Sequence, residues 1–164
     1  MYMMDSVPIA EFLEATYPDP PVPLKSELGL EIAVKLRAAM GSVFRATVMP
    51  REICILSPRS REYFERTREV ILGHPLKDLL DPEKEKQAWS AAEAARHELE
   101  PLMLTHRAEG VFILGARPCL TDFLIAGSLQ SARTVDEDIF QRMIQYQTTK
   151  DIYEACLPYM EKKD

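Results

Sequence analysis

Cysteine is scarce in this chain: Cys54, Cys119 and Cys156 are odd in number and far apart. That usage offers no disulfide framework and fits a reducing compartment. There is no CxxC pair and no Cys/His cluster with zinc-ligand spacing, so no metal site is expected. His74, His97 and His106 are scattered, and no Ser/His/Asp or Cys/His arrangement follows from their spacing. Long apolar runs are missing too, which excludes a membrane-spanning helix on sequence grounds. Met1-Tyr2-Met3-Met4-Asp5 lacks the basic and apolar segments of a secretion signal. Positive charge is in short supply: 20 Lys+Arg against 26 Asp+Glu give a net −6 and a pI near 5.2. The basic residues are mixed with acidic ones, so neither nucleic acid nor an anionic membrane is an expected partner. No internal repeat and no low-complexity tract is present. With 164 residues there is material for one core, and the expectation is a soluble, cytoplasmic, single-domain protein.

What is present is helical patterning. The stretch Arg117-Pro118-Cys119-Leu120-Thr121-Asp122-Phe123-Leu124-Ile125-Ala126-Gly127-Ser128-Leu129 reads as a helix from about Leu120 that is apolar or small on every side. Such a helix belongs in the middle of a domain. Pro118 marks its start, and the Asp122 carboxylate suits the free N–H groups and positive dipole end of a first turn. Upstream, Ser6 and Pro8 open a helix with an apolar stripe of Ile9, Phe12 and Leu13. It ends before the proline-rich Tyr17–Pro23 segment, a stiff extended connector. A second helix is predicted from Ser26 to about Thr47, with Leu28, Ile32, Leu36, Met40, Val43 and Phe44 on one face and Met49-Pro50 as its stop. Ile53-Cys54-Ile55-Leu56 reads as a packed loop. Ser57-Pro58 starts a third helix that ends at Gly73. A long helix from about Pro82 to Thr105 buries a seam of Ala88, Ala92, Ala95, Leu99 and Leu102. Val111–Gly115 reads as a brief extended entry to the central helix. Val135–Gln145 and Thr149–Met160 are two further amphipathic helices, the last turning Ile152, Tyr153, Cys156, Leu157 and Met160 inward.

With these segments in order, the chain resembles the glutathione transferase superfamily. Asp5-Ser6-Val7-Pro8-Ile9-Ala10-Glu11-Phe12-Leu13-Glu14-Ala15-Thr16-Tyr17-Pro18 looks like the end of that family's thioredoxin-like domain and its third helix. Gly115-Ala116-Arg117-Pro118-Cys119-Leu120-Thr121-Asp122-Phe123 looks like the capping box and central helix of its helical domain. Tyr63-Phe64-Glu65-Arg66-Thr67-Arg68-Glu69, with Gly73 and Leu76, resembles fungal and bacterial members related to the β-etherases. The resemblance implies an all-α fold: a C-terminal-type bundle around a buried central helix. Residues 1–18 would be a remnant of the thioredoxin-like domain (last strand and third helix), 19–25 a linker, and 26–164 the helical domain.

The departures from the family bear on chemistry. The catalytic Tyr, Ser or Cys and the cis-proline strand of the thioredoxin-like domain have no counterpart in this sequence. Asp5 and Ser6 match the acidic–Ser pair that holds the γ-glutamyl end of glutathione in the family. So no cofactor is expected, glutathione entering only if the missing part is supplied. Cys119 stands where the capping box normally has Ser or Thr; a thiol accepts weakly, and the cap should be weaker by about 1 kcal/mol.

Several residues carry a functional reading beside a structural one. Asp5 and Ser6 are either a residual ligand anchor at a helix N-terminus or an ordinary cap. The cysteines lie in apolar surroundings; Cys119, at a helix start, is open to a lowered pKa, with buried and inert as the favoured state. Arg66 and Arg68 beside Glu62, Glu65 and Glu69 form a solvated face. Tyr63, as a phenol facing a cleft, is a candidate proton donor or acceptor, and Arg37 and Arg45 are candidates to neutralise an anionic ligand. Met40, Phe44, Tyr63, Trp89, Tyr153, Tyr159 and Met160 are core by default, but the family resemblance puts helices carrying some of them around a pocket for hydrophobic substrates. The candidate catalytic set is Tyr63, Arg37 and Asp5; the candidate ligand-binding set is Asp5, Ser6, Met40, Phe44, Trp89 and Tyr153.

The expected function is binding of a hydrophobic, aromatic or polyketide-like small molecule between the helices. A glutathione-independent isomerisation or cyclisation, as in secondary metabolism, would rest on shape and one or two acid/base groups. The alternatives are a fragment of a conventional glutathione transferase and a non-catalytic binding or assembly module. The first helix, without a sheet to cover it, leaves Ile9, Phe12 or Leu13 facing water, so a homodimer is expected.

Overall fold

The computed structural model describes residues 3–161. Its described residues form helices joined by short turns, with one isolated bridge, Phe112 to Gly115, as their only β pairing. The expected last strand falls partly on Met1 and Tyr2, outside the described residues, and Met3 and Met4 lie in no strand.

Helix α1 (Ser6–Thr16) begins after Asp5, whose φ of +73° is unusual for a residue with a side chain and whose carboxylate makes no capping bond. Ser6 is thus the first helical residue and not the cap. The helix buries nothing. It is tied back by Glu14, whose two carboxylate oxygens accept the Val22 N–H at 3.1 Å, and by an exposed Lys25–Glu11 ion pair.

Helix α2 (Glu27–Val43) is capped by Ser26, whose Oγ accepts the Gly29 N–H. It does not stop at Met49-Pro50. The chain widens into a π-helical stretch, Phe44–Val48, and adds one more α turn, α3 (Met49–Arg51). Pro50 lies in the first turn of α3, where its missing N–H leaves no ladder bond broken. Arg51 secures this bend: it donates to Thr47 O at 2.9 Å and pairs with Glu85 and Asp136. Ile53–Leu56 is no packed loop; Cys54 and Ile55 are exposed on and beside a 3-10 turn (Glu52–Cys54).

Helix α4 (Pro58–Leu72) starts on the Ser57 cap and ends at Gly73, left-handed at φ +75°. It buries no residue, and Tyr63, Val70 and Ile71 face solvent. A 3-10 turn (Leu76–Leu79) with two buried leucines leads to α5 (Pro82–Met103), capped by Asp81. Its buried seam runs Ala88, Ala92, Arg96, Leu99, Met103 and lies along α2, the most extensive helix pair. Small side chains allow that close approach.

Val111–Gly115 is a tight turn, not an extended entry: Phe112 and Gly115 exchange backbone bonds, and Gly115 takes φ +87°. Helix α6 (Leu120–Val135) follows, packed against α2, α7 (Glu137–Met143) and α8 (Gln147–Met160). Asp122 is fully buried; its Oδ1 accepts Ile113 N–H at 3.0 Å and its Oδ2 accepts Cys119 N–H at 2.8 Å. The carboxylate therefore fixes both the helix start and the preceding turn. Thr121 Oγ1 donates to Gly29 O at 2.9 Å and locks α6 onto α2. Around α6 the core collects Ile32, Val43, Ile113, Met143, Ile152 and Cys156. Met160, expected inside, is half exposed.

Candidate functional site

Two stripes of side chains face each other across a gap. On α2 and the first residue of the π turn after it they are Ala33, Leu36, Arg37, Met40, Gly41 and Phe44, spaced 3, 1, 3, 1, 3 as one helical face. On α6 they are Thr121, Leu124, Ile125, Ser128 and Leu129, in the same rhythm. Arg96 of α5, Met143 of α7 and Thr149 of α8 complete the wall. The half-open space is about 260 Å³, just below the range for small-molecule sites, roughly 300–1,000 Å³. Gly41 and Gly127 have no neighbour within 4 Å of where a Cβ would sit. Helix α6 is therefore not closed on every side, as its composition suggests. Ser128 lies on its open side.

The lining is aliphatic, aromatic and sulfur-bearing, with few polar groups. Two of its hydroxyls are occupied by backbone: Thr121 donates to Gly29 O, and Ser128 donates to Leu124 O at 2.8 Å. Arg96 is buried; its Nη2 donates to Thr149 Oγ1 at 2.8 Å, and both Nη1 and Nη2 donate to Met143 O at 3.2 Å. The Tyr146 ring covers its guanidinium at 3.5 Å. Burial lowers its pKa to about 10, opposed by Tyr146 and by the nearby carboxylates of Glu100 and Glu93. The guanidinium is still charged at neutral pH. Among the described residues, no Asp, Glu, His, Cys or Tyr lines this cavity. Such a lining can hold an apolar molecule, and arginine charge suits anions better than proton relay.

The structure brings Arg37, Met40 and Phe44 together in this cavity. It does not bring the other candidates to it. Tyr63 stands on the exposed face of α4 beside Arg66. Asp5 and Ser6 are exposed at the start of α1. Trp89 is buried under the Arg142 guanidinium, 4.3 Å from the ring centre, with its Nε1–H unpaired. Tyr153 is buried between α6 and α8; its hydroxyl donates to Gln130 Oε1 at 2.7 Å and accepts from Arg133 at 3.2 Å. Arg45 is exposed outside the lining.

Sequence reasoning missed Arg96, Leu124, Ser128, Met143 and Thr149. Arg96 had a signal. It follows Ala88 and Ala92 at four-residue steps, on the buried seam where a charge is out of place. Reading Ala95 onto that seam concealed it. The cysteines show no reactive environment at α6. Burial pushes the Cys119 thiol up to about 11, with the Asp122 charge adding to it, and Cys156 is likewise raised to about 11. Cys54 is exposed rather than packed in apolar surroundings.

Comparison with known proteins bears on this architecture. The family model "Glutathione S-transferase, C-terminal domain" matches residues 35–160. The glutathione S-transferase-like protein ustS of Aspergillus flavus is 31% identical over 151 residues, covering 87% of this chain and 54% of the relative. The chain thus spans about half the length of that curated relative. A glutathione S-transferase of Ceriporiopsis subvermispora, solved in complex with glutathione, superposes with a TM-score of 0.78 at 24% identity, over 95% of this chain and 66% of that one. Glutathione transferase GSTFuA3 from Phanerochaete chrysosporium gives 0.73 at 24% identity, over 95% and 64%. At such identities these structures share the fold. The matched residues include all of the cavity lining but Ala33, and the chain belongs to the glutathione S-transferase superfamily through its C-terminal helical domain.

Proposed function

We propose that this chain binds a compact hydrophobic small molecule between α2 and α6. The observation that carries the reading is the pair of facing stripes, which leave Met40, Phe44, Leu36 and Leu124 around an open volume instead of packing them together. Adaptable Met beside an aromatic ring suits an apolar ligand. A glutathione-independent isomerisation or cyclisation of that ligand, as in secondary metabolism, would draw on confinement in a reactive conformation and on arginine charge, since the lining supplies no ordinary proton carrier. Asp5 and Ser6 are exposed and are not among the cavity lining; in this reading glutathione takes part only if a thioredoxin-like part is supplied to complete its site.

In this reading residues 1–18 correspond to the end of a thioredoxin-like domain, 19–25 to a linker and 26–164 to the ligand-binding body, working in the cytoplasm. The uncovered Phe12 and Leu13 of α1 support a homodimer in which a second copy covers them. Phe12→Glu should then shift the particle to half its mass in light scattering, and a wild-type monomer at all concentrations would remove the dimer.

The test of binding uses methyl-labelled methionine and two-dimensional NMR. Titration with naphthalene derivatives should shift Met40 and Met143 in a saturable way and leave distant methionines in place. Calorimetric titration with glutathione should be silent. Absence of any saturable shift at Met40 and Met143 would end the binding reading, and micromolar glutathione affinity would favour a conventional transferase.

A further inference from the structure

The two sides of helix α4 differ. On the inner side Phe64, Thr67, Arg68 and Leu72 are half-buried, and Arg61 fastens the helix by donating to Ile53 O at 2.9 Å. On the outer side Arg59, Glu62, Tyr63, Arg66, Glu69 and Val70 follow one another at steps of 3, 1, 3, 3 and 1, and all are exposed. These steps draw a single stripe along the helix, the pattern by which one helix packs against another. Its apolar members are large and uncovered, Tyr63 at 63% and Val70 at 80% exposure. Its charged members have no counter-charge. Among the described residues none of Arg59, Glu62, Arg66 and Glu69 forms an ion pair, although Glu62 and Arg66 stand four residues apart.

Along the stripe the charges read plus, minus, plus, minus, placed symmetrically about Phe64. Reversing the helix therefore sets every charge against its opposite: Arg59 faces Glu69, and Glu62 faces Arg66, of an antiparallel copy, each pair occurring twice by symmetry. A parallel copy would set each charge against its like. We propose that α4 docks antiparallel on α4 of a second copy, about a two-fold axis. In that register Tyr63 rests on the apolar stem of Arg66, and Val70 on that of Arg59, of the second copy. This face is distinct from the α1 stripe, and the inference does not rest on the α2–α6 cavity. One helix from each copy falls short of the roughly 1,200–2,000 Å² of a stable interface, and each exposed ion pair is weak alone. The association is therefore a weak one that appears in concentrated solution. Salt screens it, whereas apolar pairing through α1 is not weakened by salt.

The test is sedimentation equilibrium of the full chain from dilute to millimolar concentration. In low salt the mean particle mass should double over that range, and high salt should abolish the doubling. One double variant, Glu62→Arg with Glu69→Arg, makes the stripe wholly positive; another, Arg59→Glu with Arg66→Glu, makes it wholly negative. All four positions are exposed, so thermal melts should match the wild type. Each variant alone should fail to double, and an equimolar mixture of the two should regain the doubling, since every pair is then restored across the axis. Phe12→Glu, which acts on α1, should leave the concentration-dependent doubling in place. Doubling of either charge variant by itself would overturn the proposal, as would a mixture that fails to regain it. A wild-type mass independent of concentration, or loss of the doubling in Phe12→Glu, would overturn it as well.

Discussion

Helices α1 and α6 begin with similar residues, Asp5-Ser6 in one and Thr121-Asp122 in the other, and both carry apolar side chains at helical spacing. In α6 the aspartate is fully buried and accepts two backbone N–H groups, and the helix buries Ile125, Ala126, Leu129 and Ala132. In α1 the aspartate makes no capping bond and no side chain is buried. The difference is in what surrounds them. Around α6, three helices (α2, α7 and α8) supply packed neighbours; around α1, the described partners are Val22 and Lys25 of the linker. An acidic–hydroxyl pair at a helix start is thus a structural keystone where the backbone around it closes, and a solvated terminus where it does not.

Breaking this contrast should be easiest at Asp122. Asp122→Ala leaves two buried N–H groups unpaired, at about 1–3 kcal/mol each, so urea unfolding should lose about 2–5 kcal/mol. A loss below that of an ordinary surface cap would contradict the role given to the carboxylate. Next comes Gly29→Ala, where α2 meets α6. A Cβ there would lie 2.4 Å from Ser26 Oγ and 3.1 Å from Thr121 Oγ1. Displacing the α2 cap and the lock on α6 should cost about 1–3 kcal/mol, whereas Gly41→Ala, with open space around it, should be neutral or slightly stabilising.

A smaller effect sharpens the picture of α6 as a dry interior. The Cys119 and Cys156 thiols keep their protons to about pH 11 in the native chain, but ionise near pH 9 once unfolded. The unfolded state then sheds protons first, so stability falls as pH rises through about 8 to 9 and is unaffected well below that. The window to read is about pH 8 to 9, where the unfolded thiols begin to ionise and native Arg96, whose pKa is lowered to about 10, still holds most of its proton; its loss at higher pH acts in the opposite direction. Thermal melts should show the decline in wild type and less of it in Cys156→Ala. At pH 8 a thiol reagent should modify Cys54 quickly and the other two only on unfolding. The smallest effect belongs to α1: Asp5→Ala should change stability by no more than about 0.5 kcal/mol, the usual range for surface substitutions. A larger loss would mean that Asp5 has a partner in solution.

Much of the scaffold was legible because it is written in local chemistry. Ser26, Ser57 and Asp81 cap helices by accepting nearby N–H groups, and Gly73 ends one by taking a left-handed turn; these are effects of neighbours within a few residues. The cavity was half legible. Met40, Phe44 and Arg37 follow from the stripe on α2, while Ser128 and Thr149 carry no local mark and enter because three helices converge. Tyr63 shows the converse: its sequence context on α4 is aromatic and charged, but α4 lies at the edge, so that face meets water. Pro50 looked like a stop, and the wider π turn before it made room for one more turn.

The residue order alone settled that this chain is helical, where most helices start, and that the stretch after Cys119 is its centre, since capping and 3.6-residue periodicity act over short distances. Only the tertiary arrangement decided which apolar stripes close into core and which stay open as a cavity. It also placed Arg96 in that wall rather than in solvent. Both are properties of side chains far apart in sequence, and neither exists until α2, α5 and α6 are packed together.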